Sequence, residues 1–133
     1  MVKRSIEMYG YKRQVTGTYD EVVTRTKAEL KKEGYGIMSE IDVKKTIKDK
    51  LGADFDNYVI LGACNPPFAF KALQAERDIG LFMPCNVIVY EDKGKVFVAS
   101  VKPTLAMSMT GNPALAPLAD EVERKLKKAI DGV

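Results

Sequence analysis

Hydrophobic and polar residues change period several times along the chain, and each change marks an element. Between Met8 and Gly17 the pattern alternates, with Tyr9, Tyr11, Arg13 and Val15 on one side and Lys12, Gln14 and Thr16 on the other, which predicts a first strand. Thr18-Tyr19-Asp20-Glu21 then has capping-box spacing. Val22, Val23, Thr26 and Leu30 recur with helical period as far as Gly34, a residue suited to the left-handed conformation that ends helices. A helix from Tyr19 to Glu33 follows from these signals. Tyr35, Ile37 and Ile41 alternate with small or polar neighbours in a second strand. Asp42 is placed to cap a short helix that carries Val43, Ile47 and Leu51 and stops at Gly52.

The apolar run Tyr58 to Cys64 is too short for a buried helix and predicts a buried strand. Asn65 stands at an N-cap position with Pro66 at the first helical position, and the helix that follows, with Ala69, Ala72 and Leu73 facing inward, runs out near Glu76. Val87 to Tyr90 and Val96 to Val101 flank Glu91-Asp92-Lys93-Gly94, which predicts an antiparallel hairpin with Gly94 in a positive-φ turn position. A connector from Pro103 to Gly111 leads to a last helix with Leu118, Val122, Leu126 and Ile130 on its buried stripe. In that helix acidic residues precede basic ones, in the sense that the helix dipole favours. The order β-α-β-α-β-α-β-β-α describes an α+β fold whose mixed or mainly antiparallel sheet is packed by helices.

Size narrows this to one domain spanning residues 1–133, with residues 1–7 as an N-terminal extension: 133 residues can bury a core without disulfides or metals. A hydrophobic content of 46%, a charged content of 29% and a mean hydropathy of -0.16 are those of a globular chain. No apolar run is long enough to span a bilayer, and the first residues lack the apolar segment of a signal peptide, so the sequence predicts a cytoplasmic protein with no membrane association. A net charge of +3 is too small to imply nucleic-acid binding by itself. With no histidine in the chain, Ser-His and Cys-His nucleophile pairs and histidine-containing zinc sites are excluded.

Several stretches carry a resemblance. Leu61-Gly62-Ala63-Cys64-Asn65-Pro66, Gly80-Leu81-Phe82-Met83-Pro84-Cys85-Asn86-Val87 and Val89-Tyr90-Glu91 are similar to the hallmark of the prokaryotic family called domain of unknown function 302. So are Glu33-Gly34-Tyr35-Gly36 before Glu40-Ile41-Asp42-Val43, Lys50-Leu51-Gly52, and Gly111-Asn112-Pro113-Ala114-Leu115, in the same order and at comparable spacing. The resemblance covers roughly Met8 to Ile130. It implies a compact α+β fold, stand-alone bacterial or archaeal cytosolic proteins and a homodimer. It brings no established activity, cofactor or site residue.

Candidate chemistry centres on two Cys-Asn dipeptides at strand ends. Cys64 and Cys85 fit two readings: small buried hydrophobes, or a redox or soft-metal pair whose thiolates suit Cu(I) or zinc. A parallel crossover would put them at opposite sheet ends and an antiparallel return at the same end. Asn65 reads first as a helix cap, and Asn86 should face away from Cys85 together with Ile88 and Tyr90. The connector around Met107 is apolar enough to cap the core or to form a lid or dimer contact. Lys44, Lys45, Lys48 and Lys50 crowd one helix face, which reads as a solvated surface. No Walker A or dinucleotide motif is present. The favoured reading is a non-catalytic homodimeric domain that binds a small ligand or a protein partner through Cys64, Asn65, Cys85, Asn86 and Met107. The alternative is a thiol-dependent redox or soft-metal protein using Cys64 and Cys85.

Overall fold

The computed structural model describes residues 5–133. Of the expected N-terminal extension, residues 1–4 lie outside the described residues, and Ser5 caps a 3-10 turn over Ile6–Met8. Five strands follow: β1 (Gly10–Val15), β2 (Gly36–Asp42), β3 (Tyr58–Cys64), β4 (Cys85–Asp92) and β5 (Lys95–Val101). The helices are α1 (Tyr19–Lys32), α2 (Val43–Leu51), α3 (Pro66–Ala75), α4 (Pro103–Ser108) and α5 (Ala116–Gly132), with further 3-10 turns at Arg77–Phe82 and Pro113–Leu115. The expected element order is thus present. Besides the 3-10 turns, the addition is that the Pro103–Gly111 connector winds into α4, because Pro103 at its first position presets a helical φ.

The strands form one sheet in the order β1-β5-β4-β3-β2, with every neighbouring pair antiparallel. The β4–β5 hairpin turns through Lys93 and Gly94, at φ 52° and 78°, the two successive positive values of a type I′ turn. On one face Leu61, Val87, Val89 and Val98 pack under α1 and α5, which bring Val22, Leu30, Leu126 and Ile130; all eight are fully buried. Arg13, on this same face, donates from Nη1 to the carbonyls of Ile130 (3.0 Å) and Asp131 (2.8 Å), and Tyr11 Oη donates to Asp131. A cation thereby meets the last carbonyls at the C-terminus of α5, where the helix dipole favours it.

A second, smaller cluster lies beside the main one. It joins Ala72 of α3, Ile79, Met107 of α4, Leu115 and Ala119 of α5, with Met83 and Leu118 against it. Polar ties hold its pieces: Thr104 Oγ1 donates to Glu123 (2.6 Å), and Asn112 Nδ2 donates to the Ala75 carbonyl (2.9 Å).

Two local expectations are corrected. The alternation of Ile37 with Ile41 is broken by a β-bulge at Met38, so Ile37 pairs with Ala63 and packs on the core while Ile41 pairs with Ile60 and is exposed. The extra residue shifts the side-chain period by one. Leu73 does not face inward with Ala69 and Ala72: α3 turns the narrow Ala72 face to α5, and Leu73, one residue further round, points to solvent. No helix among the described residues is long and apolar enough to cross a membrane.

Candidate functional site

Antiparallel pairing decides where the two cysteines go. Ala63 is directly opposite Cys85, so Cys64 and Cys85 occupy the same end of the sheet on neighbouring strands. Both are free thiols. The main core, the small cluster and this sheet end leave an apolar cavity of about 50 Å³ between them. Tyr35, Cys64, Asn65, Met83, Cys85 and Met107 line it, and Phe68 and Phe82 also border it.

The polar groups of the lining are committed elsewhere. Tyr35 Oη donates to the Val122 carbonyl (3.0 Å), a bond that joins the loop after α1 to α5. Asn65 stands at the N-cap position of α3, but its side chain makes no cap bond. Instead Asn65 Nδ2 donates to the Glu33 carbonyl (3.2 Å), so the expected cap is a strut between the end of β3 and the end of α1. Gly34 permits this contact: at φ 87° it takes the left-handed conformation, and a Cβ there would sit 3.2 Å from Asn65 Nδ2.

Loss of hydration pushes the Cys85 thiol up to about 11, and Cys64 adds to the rise. Tyr35 is raised further, by burial first and then by Cys85, Glu33 and Cys64. Cys85 and Tyr35 are therefore electrostatic neighbours, and both are held in their neutral forms at physiological pH. A reactive thiolate would need the opposite environment, a cation or a helix N-terminus that lowers the pKa.

Four of the five candidate residues meet at this cavity: Cys64, Asn65, Cys85 and Met107. Asn86 lies outside it, exposed on the opposite sheet face with Ile88 and Tyr90, so its amide is hydrated rather than buried. Met83, Tyr35 and Phe68 were missed by sequence reasoning. Met83 and Phe68 gave one usable signal, their adjacency to the two Cys-Asn dipeptides.

The outer sheet face carries a second feature without a sequence signal. Tyr58, Tyr90 and Phe97 stack across three strands, with ring centroids 5.3 and 5.2 Å apart, and Lys12 Nζ lies 4.6 Å from the Phe97 centroid. Since strands are spaced by about 4.8 Å, the stack runs across the sheet and the rings cover one another's faces. That differs from a platform that offers ring faces to nucleic-acid bases. On α2, Lys45 pairs with Asp49 and Lys48 with Asp54, as on a solvated surface.

Residues 11–133 match the family model described as "Domain of unknown function DUF302". The chain belongs to the DUF302 family. A crystal structure of an uncharacterized conserved DUF302 protein from Bacillus stearothermophilus is similar to it, with a TM-score of 0.88 and 33% sequence identity over 93% of this chain and 97% of that one. No curated protein matches the chain. The DUF302 assignment agrees with the resemblance carried by the Cys-Asn segments, and those segments are the ones that build the cavity wall.

Proposed function

We propose that this DUF302 protein is a non-catalytic binding domain that takes a small ligand into the cavity between Cys64, Cys85, Met83 and Met107. One observation carries the reading: this cavity is lined by hydrocarbon and sulfur, with its amide and phenol donors committed to backbone carbonyls. Such a lining rewards burial of apolar or soft groups and penalises ions that need hydration. At about 50 Å³ it admits a ligand, or part of one, of a few heavy atoms. The raised Cys85 thiol supports binding over thiol redox catalysis. A reducing cytoplasm suits the two free thiols.

Titration of 15N-labelled protein with small apolar fragments tests this reading. Saturable amide shifts at Cys64, Asn65, Cys85 and Met107 are expected, and Ala106→Phe, which puts a ring into the lining, should abolish them. Shifts confined to other surfaces would contradict it.

The same region supports a homodimer. Phe70, Leu73 and Leu81 are 64%, 41% and 85% exposed, an apolar strip running from α3 into the following turn, next to Phe82 at the cavity. Such strips mark contact surfaces, and a two-fold pairing of this strip buries it in both copies. The sheet edge at β2 is a poorer contact, since it carries Glu40 and Asp42 and the Met38 bulge. Light scattering should give twice the monomer mass for the wild type and a monomer for Leu81→Glu. A wild-type monomer at all concentrations would remove the dimer.

A further inference from the structure

The side-chain donors of the cavity lining are committed, but the start of α3 holds a hydrogen bond that is open on both sides. Asn65, Phe68, Ala69 and Ala72 all border the cavity, at the i, i+3, i+4 and i+7 spacing of one helix face. Pro66 and Pro67 fill the first two helical positions and have no N–H to offer. Ala69 N donates to the Asn65 carbonyl (2.9 Å), which leaves Phe68 N–H as the first-turn donor without a partner among the described residues. An asparagine at the N-cap would ordinarily accept that bond through Oδ1. Here it does not. The Glu33 carbonyl only accepts, so it takes Nδ2 and turns Oδ1 away from the Gly34 loop: a Cβ on Gly34 would lie 3.2 Å from Nδ2 but 4.0 Å from Oδ1. Asn65 is 8% exposed, yet Ser100 Oγ is the one fully enclosed side-chain oxygen without a partner among the described residues. Oδ1, which accepts no bond, is therefore open to space, and the space that Asn65 borders is the cavity.

We infer that the cavity takes a small neutral alcohol, whose hydroxyl closes the open cap by accepting from Phe68 N–H and donating to Asn65 Oδ1. The inference rests on the cavity being a ligand site, as proposed above. A hydroxyl is the group that fits, because it is donor and acceptor at a single atom. An ether or ketone leaves Oδ1 unpaired, and a carboxylic acid or amide carries more polar atoms than the pair satisfies. Charged ligands are disfavoured by a lining that has no Asp, Glu, Lys or Arg to balance an ammonium or carboxylate. Met83, Cys85 and Met107 then cover the hydrocarbon part. Size agrees: about 50 Å³ holds roughly four water-sized groups at roughly 10–15 Å³ each, as many as the heavy atoms of propanol. A water in the same place would satisfy the pair but leave the apolar remainder unfilled.

The test is NMR titration of the full-length protein, labelled at amides and methionine methyls, with 1-propanol and with methoxyethane, its isomer without a hydroxyl. The alcohol should bind about tenfold more tightly than the ether, the factor expected for one net hydrogen bond. At saturation the Phe68 backbone amide and the Asn65 side-chain amide should shift together with the Met83 and Met107 methyls. Asn65→Leu removes Oδ1 and should bring the two affinities together. Because it also gives up the strut to Glu33, the wild-type ratio decides wherever this variant does not fold by circular dichroism. Equal affinities in the wild type, or an alcohol preference that survives Asn65→Leu, would overturn the inference. So would a Phe68 amide that stays unmoved at saturation, which would mean that the alcohol does not reach the open cap. A parallel arm with xenon separates the two levels. If xenon shifts the Met83 and Met107 methyls but the alcohol shows no advantage over the ether, the alcohol inference fails and the ligand-cavity reading stands. If none of the three enters, both fall.

Discussion

The two clusters bury their side chains by different means. Under α1 and α5, the sheet contributes Val87, Val89, Val98 and Leu61, which interlock with Leu30, Leu126 and Ile130 without exposure. Branched side chains with few rotamers fill such a space in one way. Around α3 and α4, small Ala72 and Ala119 and flexible Met83 and Met107 do the filling, and polar ties such as Asn112 to Ala75 set the spacing. A cavity persists at the junction, and apolar side chains reach solvent beside it. The comparison teaches where this fold can accommodate a guest: the sheet supplies a rigid wall with Cys85, and the α3–α4 layer supplies the wall that can repack.

The sharpest way to break the comparison is to empty each region in turn. Leu126→Ala should cost about 2–5 kcal/mol, as for a fully buried leucine in a close-packed core. Met107→Ala should cost less than that, near or below about 2 kcal/mol, because one side of Met107 already faces open space. Urea denaturation of both variants measures the difference. Equal losses would mean that the α3–α4 layer is as tightly packed as the sheet.

Alkaline pH tests the cavity wall next. The folded Cys85 thiol holds its proton to about 11, against 9.0 when unperturbed, so between these values the unfolded chain binds fewer protons than the folded one. Stability from this group is complete below about pH 9 and is lost as pH rises towards 11. The loss is on the order of 2 kcal/mol at about 1.4 kcal/mol per pH unit. Tyr19, pushed up to about 12 mainly by burial, acts in the same direction at higher pH. Denaturation midpoints at pH 8 and 10.5 should diverge less in Cys85→Ala than in the wild type. An unchanged pH dependence would place Cys85 in water rather than in the wall.

In the rigid region, Arg13→Ala should cost about 1–2 kcal/mol, the range for charged hydrogen bonds discounted for partial exposure. Amide exchange should accelerate at the C-terminal turn of α5, while α3 stays unchanged. The smallest effect concerns Ser100, whose buried Oγ has no hydrogen-bond partner among the described residues. Ser100→Ala should be neutral or raise stability by up to about 1 kcal/mol, because no partner loses a bond. A clear loss would reveal a partner for that hydroxyl.

Element order was legible because period and punctuation agree at each boundary: Thr18 caps α1, Gly34 and Gly52 end helices, and Lys93-Gly94 turns the hairpin. The antiparallel sheet followed from the hairpin only in part, since the partners of β1 and β2 depend on pairings across the chain. What was not legible depended on contacts of that kind. The bulge at Met38 has no composition signal and reverses the faces of Ile37 and Ile41. Asn65 has the sequence signature of a cap but bonds to Glu33, because Gly34 brings that carbonyl within reach. Met83 and Tyr35 join the cavity only once β3 and β4 pair. Arg13 reads as a misplaced charge on an apolar face until α5 presents its last carbonyls to it.

The central claim, that the α3–α4 junction accepts a guest while the sheet core does not, is tested most directly by methyl NMR under xenon pressure. With Met, Leu and Val methyls labelled, the account predicts saturable shifts at Met83 and Met107, with the methyls of Leu30, Leu61, Val98 and Leu126 unmoved. Shifts in the sheet core equal to those at the junction, or shifts only at the exposed Met38 and Met109, would contradict it.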